Sequence, residues 1–265
     1  MIQITAKTNG EIKWLKKLME AKKERDEQGL FVCEGLRLSL DGMAGDRVPQ
    51  ACYFTPKAAE RFPAVAELAQ KSLRAIAITD DIAAKLADTK NPQGVFTVYK
   101  KLDNSKTTDT IKSGKKVLLG SVQDPGNVGA IMRTCEAFGV EELILTADCA
   151  DTYSPKVLRA SMGGIFRLPT RVCDDLAAEI AALKQSGTRV YAAALTNNAV
   201  AVEACDFAGD VAVVIGNEGN GLSEDMIALC HGAVMIPMAG GAESLNAGVA
   251  AGILIWEMTR PIRSK

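Results

Sequence analysis

The chain carries one histidine, His231, in 265 residues. That scarcity excludes a histidine-based triad and any multi-histidine metal site, so proton transfer has to be managed without an imidazole. His231, followed at once by Gly232, reads as structural or exposed. Cysteine occurs seven times, at 33, 52, 135, 149, 173, 205 and 230, and never in a Cys-x-x-Cys pair. Odd in number and scattered, these residues suit neither a disulfide framework nor a zinc site, and read as buried thiols of a reducing compartment. No apolar run is long enough to span a bilayer, and Met1-Ile2-Gln3-Ile4-Thr5 lacks the apolar core of a signal peptide. The expectation is a cytoplasmic protein with no membrane segment and no metal. A strong charge of one sign is missing as well, the net charge being −1. Residues 1–105 hold 17 Lys and Arg against 14 Asp and Glu, and residues 106–265 hold 14 against 18. A mild basic bias at one end permits nucleic-acid binding without requiring it.

What is present is an alternation of strand-like and helix-like stretches. Glu11 to Gln28 has Ile12, Leu15, Leu18 and Met19 at helical spacing, which predicts one amphipathic helix. Short apolar strands follow at Leu30–Cys33, Ala51–Thr55, Ala75–Ile78 and Gly94–Tyr99, with helices between them, one at Asp81–Ala87 capped by Asp80. This pattern predicts a small α/β domain over residues 1–105, a polar linker at 106–116 and a second domain at 117–265. In the second half, strands at Val117–Leu119, Leu143–Leu145, Arg189–Ala194 and Val211–Ile215 alternate with helices, including Ala130–Phe138 and a last one from about Leu245 to Met258. A mainly parallel α/β sheet is expected, with ligands gathering at the carboxyl ends of its strands.

Three strand ends in that half combine glycine with polar side chains. After the first comes Asn127-x-Gly129-x-x-x-Arg133, in which Asn127 is placed to cap the helix that carries Arg133. After Val211–Ile215 comes Gly216-Asn217-Glu218-Gly219-Asn220-Gly221, a loop of exposed amides with one carboxylate among them. The third is Ile236-Pro237-Met238-Ala239-Gly240-Gly241-Ala242-Glu243-Ser244-Leu245-Asn246, a strand end, a glycine turn and a polar pair at a helix start. Each alone is ordinary turn chemistry, whereas three on one sheet edge describe a binding site.

Those three segments, together with Asp124-Pro125-Gly126 and Ile215, resemble the three motifs of the SpoU (TrmH-type) RNA ribose methyltransferases of the SPOUT superfamily, in the family's order, across residues 115–260. More loosely, Phe31-Val32-Cys33-Glu34-Gly35 and Leu86 to Gly94 resemble the small RNA substrate-binding domain of the same family, related to ribosomal RNA-binding proteins. The resemblance implies a deep trefoil knot in the C-terminal sheet, a homodimer, S-adenosylmethionine as methyl donor and RNA, most naturally ribosomal RNA, as acceptor. It implies that Gly216, Ile236 and Leu245, with Asn217 and Met238, hold the donor, and that Leu195 and Thr196 line the same pocket. It places Arg133 at the acceptor hydroxyl and neighbouring phosphate, Asn127 and Glu218 as its orienters, and Ser244 and Asn246 on the acceptor side. One departure stands out: Ala247-Gly248 occupies positions where the family often has Val-Ser.

Methyl transfer to a ribose is an in-line displacement, so the site must align donor, methyl and acceptor oxygen and help remove a proton. An arginine stays protonated at ordinary pH, which favours Arg133 as phosphate clamp and hydroxyl orienter over general base. Rival readings are methylation of a transfer-RNA ribose or of a base nitrogen on the same fold, a nicotinamide oxidoreductase, and a non-catalytic RNA binder. The spacing Gly216-x-x-Gly219-x-Gly221 is not the dinucleotide fingerprint.

Overall fold

The computed structural model describes residues 2–45, 47–102 and 113–263. They fall into two compact units, Met1–Leu102 with Asp151–Phe166, and Asp103–Ala150 with Arg167–Lys265.

The first unit contains, in order, β1 (Ile2–Ile4), α1 (Gly10–Glu20), α2 (Lys22–Gln28), β2 (Leu30–Glu34), α3 (Leu36–Met43), β3 (Ala51–Phe54), α4 (Pro56–Arg61), α5 (Ala64–Lys71), β4 (Ala75–Ile78), α6 (Asp80–Leu86) and β5 (Val95–Lys100). Its five strands lie in the order β1-β4-β3-β5-β2, with β5 antiparallel to both neighbours. The single helix expected over 11–28 is two. Lys22–Gln28 offers no apolar position to continue the buried stripe, and the chain turns extended at Ala21. Arg25 then reaches back, donating from Nη1 to the carbonyls of Leu18 and Met19 at 2.8 and 2.7 Å. Those carbonyls are the ones a continuing helix would have used. The cap of α6 is Thr79, whose side chain accepts from the Ile82 amide, and Asp80 is already helical. Strand β1, at the sheet edge, carries no alternation long enough to have been read from the sequence.

Residues 151–166 complete this unit, although the sequence assigns them to the second half. The Arg25 guanidinium, 3% exposed, pairs with Asp151 at 2.6 Å. Tyr153 packs on Phe31 with ring centroids 4.7 Å apart, and Phe166 lies against both Phe31 and Tyr99.

The second unit begins with β6 (Lys115–Leu119), α7 (Pro125–Ala137) and β7 (Glu142–Thr146). Helix α8 (Pro155–Ser161) lies in the segment that joins the first unit. There follow β8 (Thr170–Cys173), α9 (Leu176–Gln185), β9 (Arg189–Ala193), β10 (Val200–Ala201), β11 (Val211–Ile215), α10 (Glu224–Leu229), β12 (Gly232–Met235) and α11 (Ala247–Arg263). Of the linker expected at 106–116, residues 106–112 lie outside the described residues, while Lys115 and Lys116 already belong to β6 and are buried. Seven parallel strands are ordered β10-β12-β9-β11-β6-β7-β8. The central strand β11 is buried along its whole length, as a strand covered on both faces must be. Helices α7 and α11 pack on each other, and α11 on β6 and β11, while α9 and α10 pack on β9. Because the order reverses at β6, the loops after β6, β9, β11 and β12 meet at one carboxyl edge, where a parallel sheet opens a crevice. Among the described residues no helix is long and apolar enough to cross a membrane, and no cluster of His, Cys, Asp or Glu could hold a metal ion.

Candidate active site at the carboxyl edge of the parallel sheet

A cavity of about 400 Å³ opens on this edge, walled by the loops after β9, β11 and β12 and by the first turns of α11. Leu195, Thr196, Gly216, Asn217, Ile236, Met238 and Leu245, the seven residues expected at a donor, all line it. Glu218 and Ser244 line it too. Much of the wall is backbone. A Cβ built on Gly216 would lie 2.3 Å from the Gly221 carbonyl carbon and 2.6 Å from the Leu222 nitrogen, so only glycine fits where the loop doubles back. Asn217 holds that loop from within: its Oδ1 accepts from the amides of Gly219 and Asn220, and its Nδ2 donates to the Ser121 carbonyl at 2.9 Å. The Asn217 side chain is thus spent on loop structure, and Asn217 meets the cavity as part of that scaffold. Leu195 and Leu245 are exposed at 61% and 37%, unusual for leucines and apt for an apolar part of a ligand.

Beside the cavity, three loops are joined by a chain of polar side chains. Glu218 Oε1 accepts from the Asp124 amide and from Asn127 Nδ2, each at 3.0 Å, and Oε2 accepts from the Gln123 amide at 3.1 Å. Asn127 Oδ1 in turn accepts from Asn246 Nδ2 at 3.0 Å. Asn246 Oδ1 closes the series by capping α11 through the amides of Gly248 and Val249. Burial raises the Glu218 carboxyl's pKa, but the Asn127 amide and the Asp124 and Gln123 backbone amides outweigh it and hold the group below the ordinary carboxylate range. The unusual Gly248 also finds its reason here. A Cβ there would sit 3.2 Å from Asn246 Oδ1 and 3.4 Å from Asn127 Oδ1, crowding the amide pair.

Two expected roles are revised. Asn127 does not cap α7. Asp124 does, accepting from the Asn127 amide at 2.9 Å, with Pro125 at the first helical position, so the helix starts five residues earlier than periodicity alone suggests. Asn127 is freed to sit inside the first turn, 8% exposed, and to bridge Glu218 and Asn246. Glu218 does not pair with Arg133; its carboxylate faces Gln123, Asp124 and Asn127. Arg133 is exposed six residues further along α7, and its side chain makes no ion pair or hydrogen bond among the described residues. Ser244 belongs to the cavity wall and stands outside the polar chain.

The loop after β6 contributes what the sequence did not announce. Ser121 takes a left-handed backbone, φ 59°, uncommon for a residue with a side chain. Its amide donates to Thr146 Oγ1, and its hydroxyl donates to Asp148, which also accepts from Thr146. This triad fixes the bend that turns the Gln123 and Asp124 amides onto Glu218. Nothing in the spacing of Ser121, Thr146 and Asp148 signals it.

Residues 114–256 match the model of the SpoU rRNA Methylase family, and residues 9–97 match the MRM3-like substrate binding domain. The chain is 34% identical over 97% of its length, and 93% of the relative, to an uncharacterized tRNA/rRNA methyltransferase of Synechocystis. It is 30% identical to a 23S rRNA guanosine 2′-O-methyltransferase, RlmP, of Bacillus subtilis, covering 97% of this chain and 99% of that one. An AdoMet-bound rRNA methyltransferase from Sinorhizobium meliloti shares the fold with a TM-score of 0.86 at 27% identity, over 98% of each chain. With a family match over more than half of its residues and full-length relatives at or above 30% identity, the chain belongs to the SpoU rRNA methylase family.

Proposed function

We propose that the protein methylates a ribose 2′-hydroxyl of ribosomal RNA, with S-adenosylmethionine as donor. The observation that carries this reading is the hydrogen-bonded series Glu218–Asn127–Asn246, which ties three loops together at the rim of the 400 Å³ cavity. The cavity suits the donor: its wall of loop backbone and exposed leucines offers amide and carbonyl groups with apolar surface, and Gly216 lets the loop after β11 fold back on itself to form that wall. When bound, the donor supplies a sulfonium methyl that leaves a neutral thioether behind. The protein's own share is alignment. Glu218 and Asn127 fix the start of α7, and that helix presents the exposed Arg133. Arg133, permanently charged, clamps a phosphate and orients the adjacent hydroxyl. Ser244, on the cavity wall between Met238 and Leu245, stands where donor and acceptor meet.

The same reading includes a trefoil knot threaded through the loops after β11 and β12, a homodimer and a cytoplasmic site of action. Support for the dimer comes from α11, which leaves Val249 and Trp256 exposed at 52% and 46% although they lie on an apolar helix. The first unit's match to a substrate-binding domain supports a role in holding the RNA.

Arg133→Ala tests the proposal directly. It is expected to abolish methyl transfer to ribosomal RNA, read as loss of alkali-resistant linkages, while calorimetric binding of S-adenosylmethionine stays within about twofold. Retained turnover in that variant would remove Arg133 from the chemistry, and alkali-sensitive methylated product would point to a base instead of a ribose.

A further inference from the structure

The bend after β6 holds a residue in a conformation it does not favour. Among the described residues two non-glycines have a left-handed backbone, Ser121 (φ 59°) and Met162 (φ 50°). Met162 closes helix α8, where such a residue is usual. Ser121 closes no helix; it lies two residues past the end of β6. Its side chain makes the left-handed state about tenfold less accessible than it is to glycine. A conformation of that kind persists only when its surroundings impose it.

Those surroundings come from the loop after β7. The Ser121 amide donates to Thr146 Oγ1 at 2.9 Å, and the Ser121 hydroxyl donates to Asp148 Oδ2 at 2.5 Å. Thr146 Oγ1 donates in turn to Asp148 Oδ1, so one carboxylate holds both hydroxyls. On either side the same loop grips the backbone: Cys149 Sγ donates to the Leu119 carbonyl, and the Ala150 amide to the Val122 carbonyl. The carbonyl of Ser121 accepts from Asn217 Nδ2, in the loop that walls the cavity. Immediately beyond Val122, the Gln123 and Asp124 amides reach Glu218. Ser121 therefore fixes the donor loop through its carbonyl and the start of α7 through the chain that follows it.

We propose that Asp148 is a positioning residue for methyl transfer: its carboxylate clamps Ser121 in the left-handed state and so holds the donor loop and the first turn of α7 in register. The inference rests on the proposed ribose methylation, and it adds a residue that acts on the reaction from outside the cavity wall. The role has a chemical signature. A general base would need the carboxylate itself, whereas a clamp needs only groups that bond two hydroxyls. An asparagine amide supplies an acceptor for one hydroxyl and a donor for the other.

The test compares Asp148→Ala, Asp148→Asn and the double variant Ser121→Gly/Asp148→Ala. Three quantities are read: methyl transfer to ribosomal RNA, calorimetric binding of S-adenosylmethionine, and amide hydrogen exchange of the unliganded protein. Asp148→Ala should lower kcat about tenfold with the KM for RNA within about twofold, weaken donor binding about threefold, and speed exchange at Gln123 and Asp124. Asp148→Asn should keep kcat within about threefold of wild type. In the double variant glycine takes the left-handed backbone without a clamp, so kcat, donor affinity and exchange protection should return to within about threefold of wild type. Wild-type kcat and exchange in Asp148→Ala would overturn the proposal. So would an Asp148→Asn enzyme as slow as Asp148→Ala, or a double variant no faster than the single one. Wild-type protein that transfers no methyl to ribose would count against the enzymatic reading, and donor binding and exchange would still decide the clamp.

Discussion

Glu218→Gln is the substitution that most sharply tests how the site is built, since it keeps shape and removes only charge and one acceptor. The carboxylate receives three hydrogen bonds, two on Oε1 and one on Oε2. A glutamine whose oxygen replaces Oε1 keeps the Asp124 and Asn127 contacts, but its amide nitrogen then faces the Gln123 amide, donor against donor. Hydrogen bonds to a charged group contribute about 1.5–3 kcal/mol and neutral ones about 0.5–1.5. Losing one and neutralising two would cost about 4 kcal/mol in a dry site. Glu218 is solvent-exposed, and screening reduces the figure to about 2 kcal/mol. That loss falls on the loop carrying Gln123 and Asp124, and so on the first turn of α7. A misplacement on the order of 1 Å there should lower kcat about a hundredfold. Donor affinity should change little, because Gly216 and the loop after β12 are untouched. The assays are kcat and KM for methyl transfer, calorimetric donor binding and thermal unfolding. A variant with kcat within twofold of wild type would refute the argument that this carboxylate positions the acceptor side.

Gly216→Ala places a carbon against backbone that has no rotamer to escape into. It should cost about 2 kcal/mol of donor binding, some thirtyfold in Kd by calorimetry. Glu218, with its pKa depressed in the folded state, gives stability that is fully present above about pH 4.3, its unfolded value, and lost as pH falls through the lower folded value. The difference in Tm between wild type and Glu218→Gln should therefore be constant from pH 8 to 5 and shrink below about pH 4. Arg25→Leu strands the Asp151 carboxylate and the Leu18 and Met19 carbonyls. It should destabilise the first unit by about 3–5 kcal/mol in urea unfolding, and Asp151→Asn in the same chain should recover part of that.

The sequence is most legible where function limits the choice of residue. Gly216 marks a loop that doubles back because a Cβ there would strike Gly221 and Leu222, the run from Ile236 to Asn246 is marked by its resemblance to a family motif, and all seven expected donor residues do share one cavity. Local patterns read less well where long-range bonds decide. The break at Ala21 depends on Arg25 reaching back to two carbonyls, and residues 151–166 join the first unit through Arg25–Asp151 and Phe31–Tyr153. Partners 126 positions apart leave no trace in a window of ten or fifteen residues. Strands β1, β8 and β10, of three, four and two residues at or next to sheet edges, are too short to show a period. The misread start of α7 has a local remedy: Asp124-Pro125 is a cap followed by proline at the first helical position, and that signal outranks apolar spacing.

The site divides its labour between backbone and side chains, and that division limits what each residue can do for the proton. Glu218 is saturated by three donors and held below the ordinary carboxylate range, so it is a poor base as well as a well-fixed strut. His231 precedes β12, and its Nδ1 accepts from the Val190 amide near the start of β9. It therefore lies at the amino edge of the sheet, opposite the cavity. An arginine stays protonated at ordinary pH, so Arg133 is no general base either. In the proposed mechanism, with these three removed as strong bases, the burden falls on alignment: a cationic clamp on the phosphate would make the neighbouring hydroxyl more acidic, and the loops that bracket it would hold the attack line. Chemistry of this kind tolerates a weak base but not a loose scaffold. The side chains at the rim, Asn127, Asn217, Glu218 and Asn246, accordingly spend their hydrogen bonds on one another and on backbone, and on the proposed reading the reaching is left to Arg133.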